Sequence, residues 1–338
     1  MAQSPASGAY GYVNYGFETT EGTVAATFPR PFGQGAKISI SRKNNMDRVF
    51  GLGARNAAAN VAKKYEGTAS IEFLLGAGMT AIGNGGASWL RAVMGAIPTD
   101  SGATPFTHSY AESNTQVSFS IANAVELGTG DYVSALIGCR VRSCTISAAV
   151  DEIANVKLDV QYRTESMATS GISVSPNMPT EEPLSFAGGT LSVNGTTVGY
   201  VQSVELTINN NVDFVWGLGS RYSTAAVPKT RTYDLKMSVK FSDVSLLLEK
   251  FYGKAATVAA TDLATLNPAG VACVLTFDNG LTVINTRKIV FTFANLYLNE
   301  HNLPLDVNEV IAEDVSGWAL SCTTIVVSNA TSTDVASP

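Results

Sequence analysis

ISISRKNNMDRVFGLGARNAAANVAKK (38–64) and VELTINNNVDFVWGLGSRYSTAAVPKT (204–230) align without a gap at an offset of 166 residues. Asn44 and Asn45 meet Asn210 and Asn211, and Asp47 meets Asp213. Val49 meets Val215, with aromatic Phe50 and Trp216 following in register. Gly51-Leu52-Gly53 meets Gly217-Leu218-Gly219, Arg55 meets Arg221, Val61 meets Val227, and Lys63 meets Lys229. A repeat of this length is far longer than the ~20–45 residues of a solenoid unit, so it implies a duplicated domain.

The likeness extends outward. After a two-residue slip, TASIEF (68–73) falls on KMSVKF (236–241), and SWLRAVMG (88–95) resembles LLLEKFYG (246–253). The Ser/Thr/Pro-rich stretch SMATSGISVSPNMPTEEP (166–183) reads as a linker. Two domains are therefore expected, 1–170 and 171–338. The first carries 13 basic and 13 acidic side chains, the second 9 and 15, so the second supplies the whole net charge of −6.

Period-two alternation dominates both halves, as half-buried strands require. Val156, Leu158, Val160 and Tyr162 alternate with polar residues, as do Leu235, Met237, Val239 and Phe241, while Ile289, Phe291 and Phe293 share one side of theirs. Asn194-Gly195 and Asn279-Gly280 read as tight hairpin turns. Helix is scarce: Val244–Tyr252 is one candidate, and its counterpart runs from Ser88 to Met94 with Gly95 as the stop. The fold class read from this is mainly β, two tandem sandwich or barrel domains, each with a short helix on its flank.

Composition narrows function. Hydrophobic residues are 45% of the 338, enough for a packed core, and charged residues only 15%, which suits a surface partly covered by partners. An acidic chain forgoes the phosphate-driven grip of a nucleic-acid binder. No run approaches the ~18 apolar residues of a membrane helix, and MAQSPASGAYGYVNYG lacks the basic-then-apolar pattern of a secretory leader. The four cysteines form no CxxC and read as buried thiols.

No constellation carries catalytic chemistry. The Gly-Leu-Gly motifs fall short of GxGxxG or GxxxxGK[ST] and read as structural bends. Neighbouring carboxylates such as Asp151-Glu152, Glu181-Glu182 and Glu313-Asp314 point to opposite faces of a strand and make poor acid–base pairs. His301, close to Pro304, reads as a loop residue. Arg140 and Arg142, on one face if their segment is a strand, read first as solvated surface and second as partners for carboxylates of a neighbouring subunit. No enzyme, cofactor or metal is expected.

The repeated block resembles the tail tube proteins, or major tail proteins, of long-tailed bacteriophages and related archaeal viruses. The resemblance is carried by GGTLSVNGTTVGYVQSVELTINNNVDFVWGLGSR (188–221), VPKTRTYDLKMSVKFSD (227–243) and LLLEKFYG (246–253). GYVNYGFETTEGTVAATFPRPFGQGAKISISRKNN (11–45) and DVNEVIAEDVSGWAL (306–320) are similar to the family's opening and closing regions. What the resemblance implies is a structural virion protein of the tail, assembled in the host cytoplasm. Chains stack as rings into a hollow tube that conducts viral DNA into the host. With two units per chain, three chains would make a pseudo-hexameric ring. Implied partners are copies of itself, a tape-measure protein and double-stranded DNA in the lumen without specific binding, and the tail terminator and tip or baseplate proteins. No membrane partner is implied.

The candidate ring-to-ring contacts are the loops Ala54–Lys64 and Ser220–Arg231, with Ala54, Arg55, Val61, Lys63, Ser220, Arg221, Val227, Pro228 and Lys229 as the residues of interest. The alternatives are a ring-forming tail terminator or baseplate protein of the same fold, and a carbohydrate-binding β-sandwich using Tyr10, Tyr12 and Tyr15, which equally suit a terminal arm packing on a neighbour.

Overall fold

A computed structural model describes residues 11–53, 55–77, 79–80, 84–85, 87–127, 130–168, 182–241, 251, 270–281, 286–304 and 310–329. Its backbone is mainly β. Eight strands make the principal ladder: β1 Lys37–Lys43, β2 Glu66–Leu74, β3 Gly130–Ala149, β4 Asn155–Tyr162, β5 Val201–Asn209, β6 Thr232–Lys240, β7 Lys288–Asn302 and β8 Ala312–Ala319. They lie side by side in the order β1-β2-β4-β3-β5-β6-β8-β7, and every pairing is antiparallel.

The expected alternation positions this ladder. Val156, Leu158, Val160 and Tyr162 are all buried, and so are Leu235, Met237 and Val239. Their faces meet one core with Tyr15, Trp89, Phe119 and Leu136. Phe241, the last residue of its pattern, lies just past β6 and is half-buried.

The two halves share one pairing scheme. In the first, Gly11–Phe17 pairs with Phe119–Leu127, which pairs with the start of β3, whose other edge takes Thr164–Ala168. In the second, Gly189–Val193 pairs with Val271–Asp278, which pairs with the start of β7, whose other edge takes Cys322–Asn329. β1 on β2 corresponds to β5 on β6 at a constant offset of 166: Ser39 opposes Ser70, and Glu205 opposes Lys236. The two-residue slip read between the halves is therefore absent. A shift of two preserves which face each side chain occupies, so alternation alone does not distinguish the two alignments.

The halves join through strands. Ser143–Ala149 of β3 pairs with Ser203–Asn209 of β5. Phe106–Tyr110 from the first half adds to Cys322–Asn329 of the second.

The helix forms over Trp89–Met94, within the expected Ser88–Met94, with Ser88 before it and Gly95 closing it through a hydrogen bond from its N–H to the Arg91 carbonyl at 2.8 Å. Gly95 has φ 92°, and a Cβ there would sit 2.3 Å from the Thr115 carbonyl oxygen, so glycine is required twice over. All six helical residues are buried, so the helix is a core element and not a flanking one. The second helix candidate, 244–252, lies almost wholly outside the described residues, as does the linker over 169–181.

Asn194 and Gly195, at φ 54° and 77°, make a tight turn between Gly189–Val193 and Thr196–Thr197. Asn279-Gly280 instead opens a longer connection between Val271–Asp278 and β7. All four cysteines are buried free thiols. Burial raises each of them, Cys273 and Cys322 to about 12. A thiol reagent at pH 8 is thus expected to titrate no thiol in the native protein and four in denaturant, because the thiolate is the reactive form.

Candidate assembly surfaces

Two hairpins stand out from the ladder at equivalent places. Met46–Phe50 pairs with Ala57–Ala62, and Asp213–Trp216 with Ser223–Val227. Asp47 opposes Val61 and Asp213 opposes Val227. Each ladder slips by one residue at the same point, Val49/Phe50 and Val215/Trp216. The local chemistry repeats as well. Asn45 and Asn211 take φ 47° and 48°, and their side-chain amides donate to the carbonyls of Lys64 and Thr230 at 3.0 and 2.8 Å. Lys63 pairs with Asp47, and Lys229 with Asp213. The Gly-Leu-Gly motif forms each tip, with Gly53 at φ 84° and Gly219 at φ 89°.

The segments after the motif, read as loops, are therefore largely the return strands of hairpins. Ala57–Ala62 is exposed throughout, so it has no buried face and no alternation to betray a strand. Arg55 and Val61 lie on the first hairpin, both exposed, with Lys63 at its base; Ala54 falls outside the described residues. Ser220, Arg221 and Val227 belong to the second, and Pro228 and Lys229 lead away from it.

Exposed apolar side chains concentrate on these arms. Leu52 and Leu218 are fully solvent-exposed at the tips, flanked by Phe50 and Val61 on one arm and by Val215 and Val227 on the other. Larger exposed apolar patches are a common mark of contact surfaces.

The arms also touch each other. Arg221 donates from Nε to the Lys63 carbonyl at 2.9 Å and from Nη2 to Asn44 Oδ1 at 2.9 Å. The Arg221 carbonyl accepts from the Tyr65 amide at 2.8 Å, and Trp216 Nε1 donates to the Tyr65 carbonyl at 3.2 Å. Lys64 lies 4.6 Å over the Trp216 ring. Arg221 thus ties the second half of the chain laterally to the first, a contact its loop assignment did not reveal.

Nearby, Arg42 grips Glu165 with a two-pronged hydrogen bond, Nε to Oε2 at 2.7 Å and Nη2 to Oε1 at 2.5 Å. Burial works to raise the Glu165 carboxyl, but the bonds from Arg42 and Ser134 outweigh it and hold it below its ordinary value of 4.5. A carboxyl depressed on folding stabilises the protein above the unfolded value, and that contribution fades as pH falls through the lower folded value. Melting temperature is expected to drop between pH 5 and pH 3, and Glu165→Gln should flatten part of that drop in a thermal-shift series.

The other side of the eight-stranded ladder faces away from the core and is mostly polar, with Trp318 as an exposed aromatic on it. β1 and β2 present Lys37, Lys43, Glu66 and Glu72, with Ser39, Ser41, Thr68 and Ser70 between them. β3 and β4 add Arg142, Lys157 and Asp159; β5 and β6 add Glu205, Asp234, Lys236 and Lys240; β7 and β8 add Glu300 and Asp314. Seven acidic and six basic groups make this face close to neutral, and Lys236 is paired with Glu205 at 3.0 Å. Arg140 does not join it: a bulge between Val141 and Ser143 separates it from Arg142, and it bonds Glu21 of the same chain at 2.6 Å.

Neither histidine is a loop ligand. His301 sits near the end of β7, its Nε2 2.8 Å from Glu313 Oε2, with both side chains buried. His108 is buried between Asp100 and Asn329. No metal-binding cluster of His, Cys, Asp or Glu occurs among the described residues. Tyr15, one of the three tyrosines considered for sugar binding, is wholly buried and hydrogen-bonded to Ser88 at 2.7 Å.

A family model described as phage tail tube protein matches residues 8–317. The chain belongs to the phage tail tube protein family. This is a family of structural virion components, not of enzymes, so the surfaces of this tail tube protein are to be read as assembly surfaces. No curated protein matches the chain. No helix among the described residues is long and apolar enough to cross a membrane.

Proposed function

We propose that the chain holds two tandem tube domains, 1–170 and 171–338, and that three chains close a pseudo-hexameric ring which stacks into the tail tube. The observation that carries this reading is the pairing order β1-β2-β4-β3 followed by β5-β6-β8-β7, the same scheme twice, with an unoccupied strand edge at each end among the described residues. An open sheet of this size leaves unpaired donors and acceptors at both edges. Three such sheets placed head to tail close a barrel and leave none, since a heterologous contact that closes by rotation gives a ring.

In that ring the polar ladder face lines the bore. Its near balance of charge favours a lumen that double-stranded DNA and a tape-measure protein traverse without being held, because it offers little counterion release. The arms, with exposed leucines at their tips, reach the neighbouring ring. Terminator and tip or baseplate proteins then cap a virion tail assembled in the host cytoplasm.

Electron microscopy of the concentrated protein tests the reading. Long tubes are expected. Single rings that never stack would fit a terminator or baseplate component, and strictly monomeric material at every concentration would defeat the proposal.

A further inference from the structure

The joint between the halves of one chain is a template for the joint between chains. Its three parts are read directly. β3 and β7 correspond at an offset of 157, because β4 at Asn155–Tyr162 corresponds to β8 at Ala312–Ala319 through their partners β2 and β6. The same offset carries the bulge of β3 at Val141/Ser143 onto the bulge of β7 at Leu298/Glu300. Ser143 is therefore equivalent to Glu300. On the other partner, Asn209 of β5 is equivalent to Lys43 of β1 at the offset of 166.

Within the chain, Ser143 lies opposite Asn209 in the antiparallel pairing of β3 with β5. We infer that the end of β7 from Glu300 pairs antiparallel with β1 of a second copy of this chain, with Glu300 opposite Lys43 of that copy. This inference rests on the ring proposed above and deepens it to a register.

Three observations favour this occupant over any other. First, both edges are bare among the described residues: β1 pairs only with β2, and β7 beyond Leu298 pairs only with β8. Second, the register brings opposite charges together, since Glu300 and Lys43 are both exposed. Third, the burial of β1 is incomplete where that of its equivalent is not. Val204 and Leu206 are 5% and 1% exposed beside β3, whereas Ile38 and Ile40, at the matching places, are only half-buried. A neighbouring strand is what they lack. Arg42 and His301 also meet in this register, each already held by its own carboxylate, Glu165 and Glu313.

The lateral latch transfers in the same way. Arg221 holds the Lys63 carbonyl, so Arg55 of the second copy meets the Lys229 carbonyl, which borders a polar cleft with Glu112 and Thr230.

The test is a disulfide trap in the full-length protein. Directly opposed strand residues have Cα atoms ~4.5–5.5 Å apart, inside the range a disulfide accepts. Glu300→Cys/Lys43→Cys, assembled under reducing conditions and then oxidised, is expected to run as covalent dimer and trimer on a non-reducing gel, with trimer as the limit. Glu300→Cys/Ser39→Cys, four residues out of register, should stay monomeric. The native cysteines are buried and do not interfere.

Charge reversal guards against a misfolded cysteine variant. Glu300→Lys and Lys43→Glu should each cut ring yield at least tenfold in negative-stain images, and the double reversal should restore it. Rings from the wild type without a covalent trimer from the 300/43 pair would overturn this joint while leaving the ring itself standing. No rings from the wild type would overturn both.

Discussion

Replacing Leu52 and Leu218 together by aspartate is expected to leave rings intact and abolish tubes. Both side chains sit at hairpin tips, fully exposed and apolar, 166 positions apart. Neither supports the fold, because no core residue depends on them. Solubility and melting temperature should therefore be unchanged or slightly improved. What the variant would lose in the proposed ring is apolar burial of six tips, at about 1.5–3 kcal/mol for each leucine fully covered. Added to this is the cost of bringing six carboxylates against the next ring. Electron microscopy would show discs in place of tubes. Tubes of ordinary length from the double variant would remove the arms from the ring-to-ring contact and return them to the solvent.

Trp89→Ala is expected to cost about 3–5 kcal/mol, a large share of the 5–15 kcal/mol that holds most domains together. The indole is wholly buried in the shared core and meets the Phe73 ring edge-on at 5.4 Å. Phe73 in turn lies on β2, inside the ladder. The cavity would thus open between the helix and the sheet, and the loss should appear as a lower urea midpoint with an unchanged slope. A midpoint within error of the wild type would mean that the helix is not the core element its burial implies.

Alternation made β4 and β6 legible, because in each a polar face stands against a core face, and Val156, Leu158 and Val160 announce the difference. The repeat and its offset were legible in the arms for another reason: their turns demand particular residues, Asn45 and Asn211 at positive φ and glycine at each tip.

Other features left no mark. The return strand of the first arm is exposed on both faces, so nothing in Ala57–Ala62 alternates. The first helix is buried on every side, yet its central Arg91 made it read as a flanking helix. His301 read as a loop residue because Pro304 is near, yet the strand runs to Asn302 and the proline lies two residues beyond it. Tyr15, weighed as a sugar-binding aromatic or as part of a terminal arm, did not read as core because its partner, Ser88, is 73 positions away. The lateral latch of Arg221 depends on a backbone carbonyl in the other half, and a carbonyl has no identity in a sequence.

The pairing of β3 with β5 has a kinetic meaning for the proposed ring. Because both strands belong to one polypeptide, that seam forms as the molecule folds, at an effective concentration set by the tether and not by the amount of protein present. Half of the six seams are then complete before any two molecules collide. Closure becomes a meeting of three bodies instead of six, so the onset of assembly should depend less steeply on dilution than it would for a hexamer of separate single units.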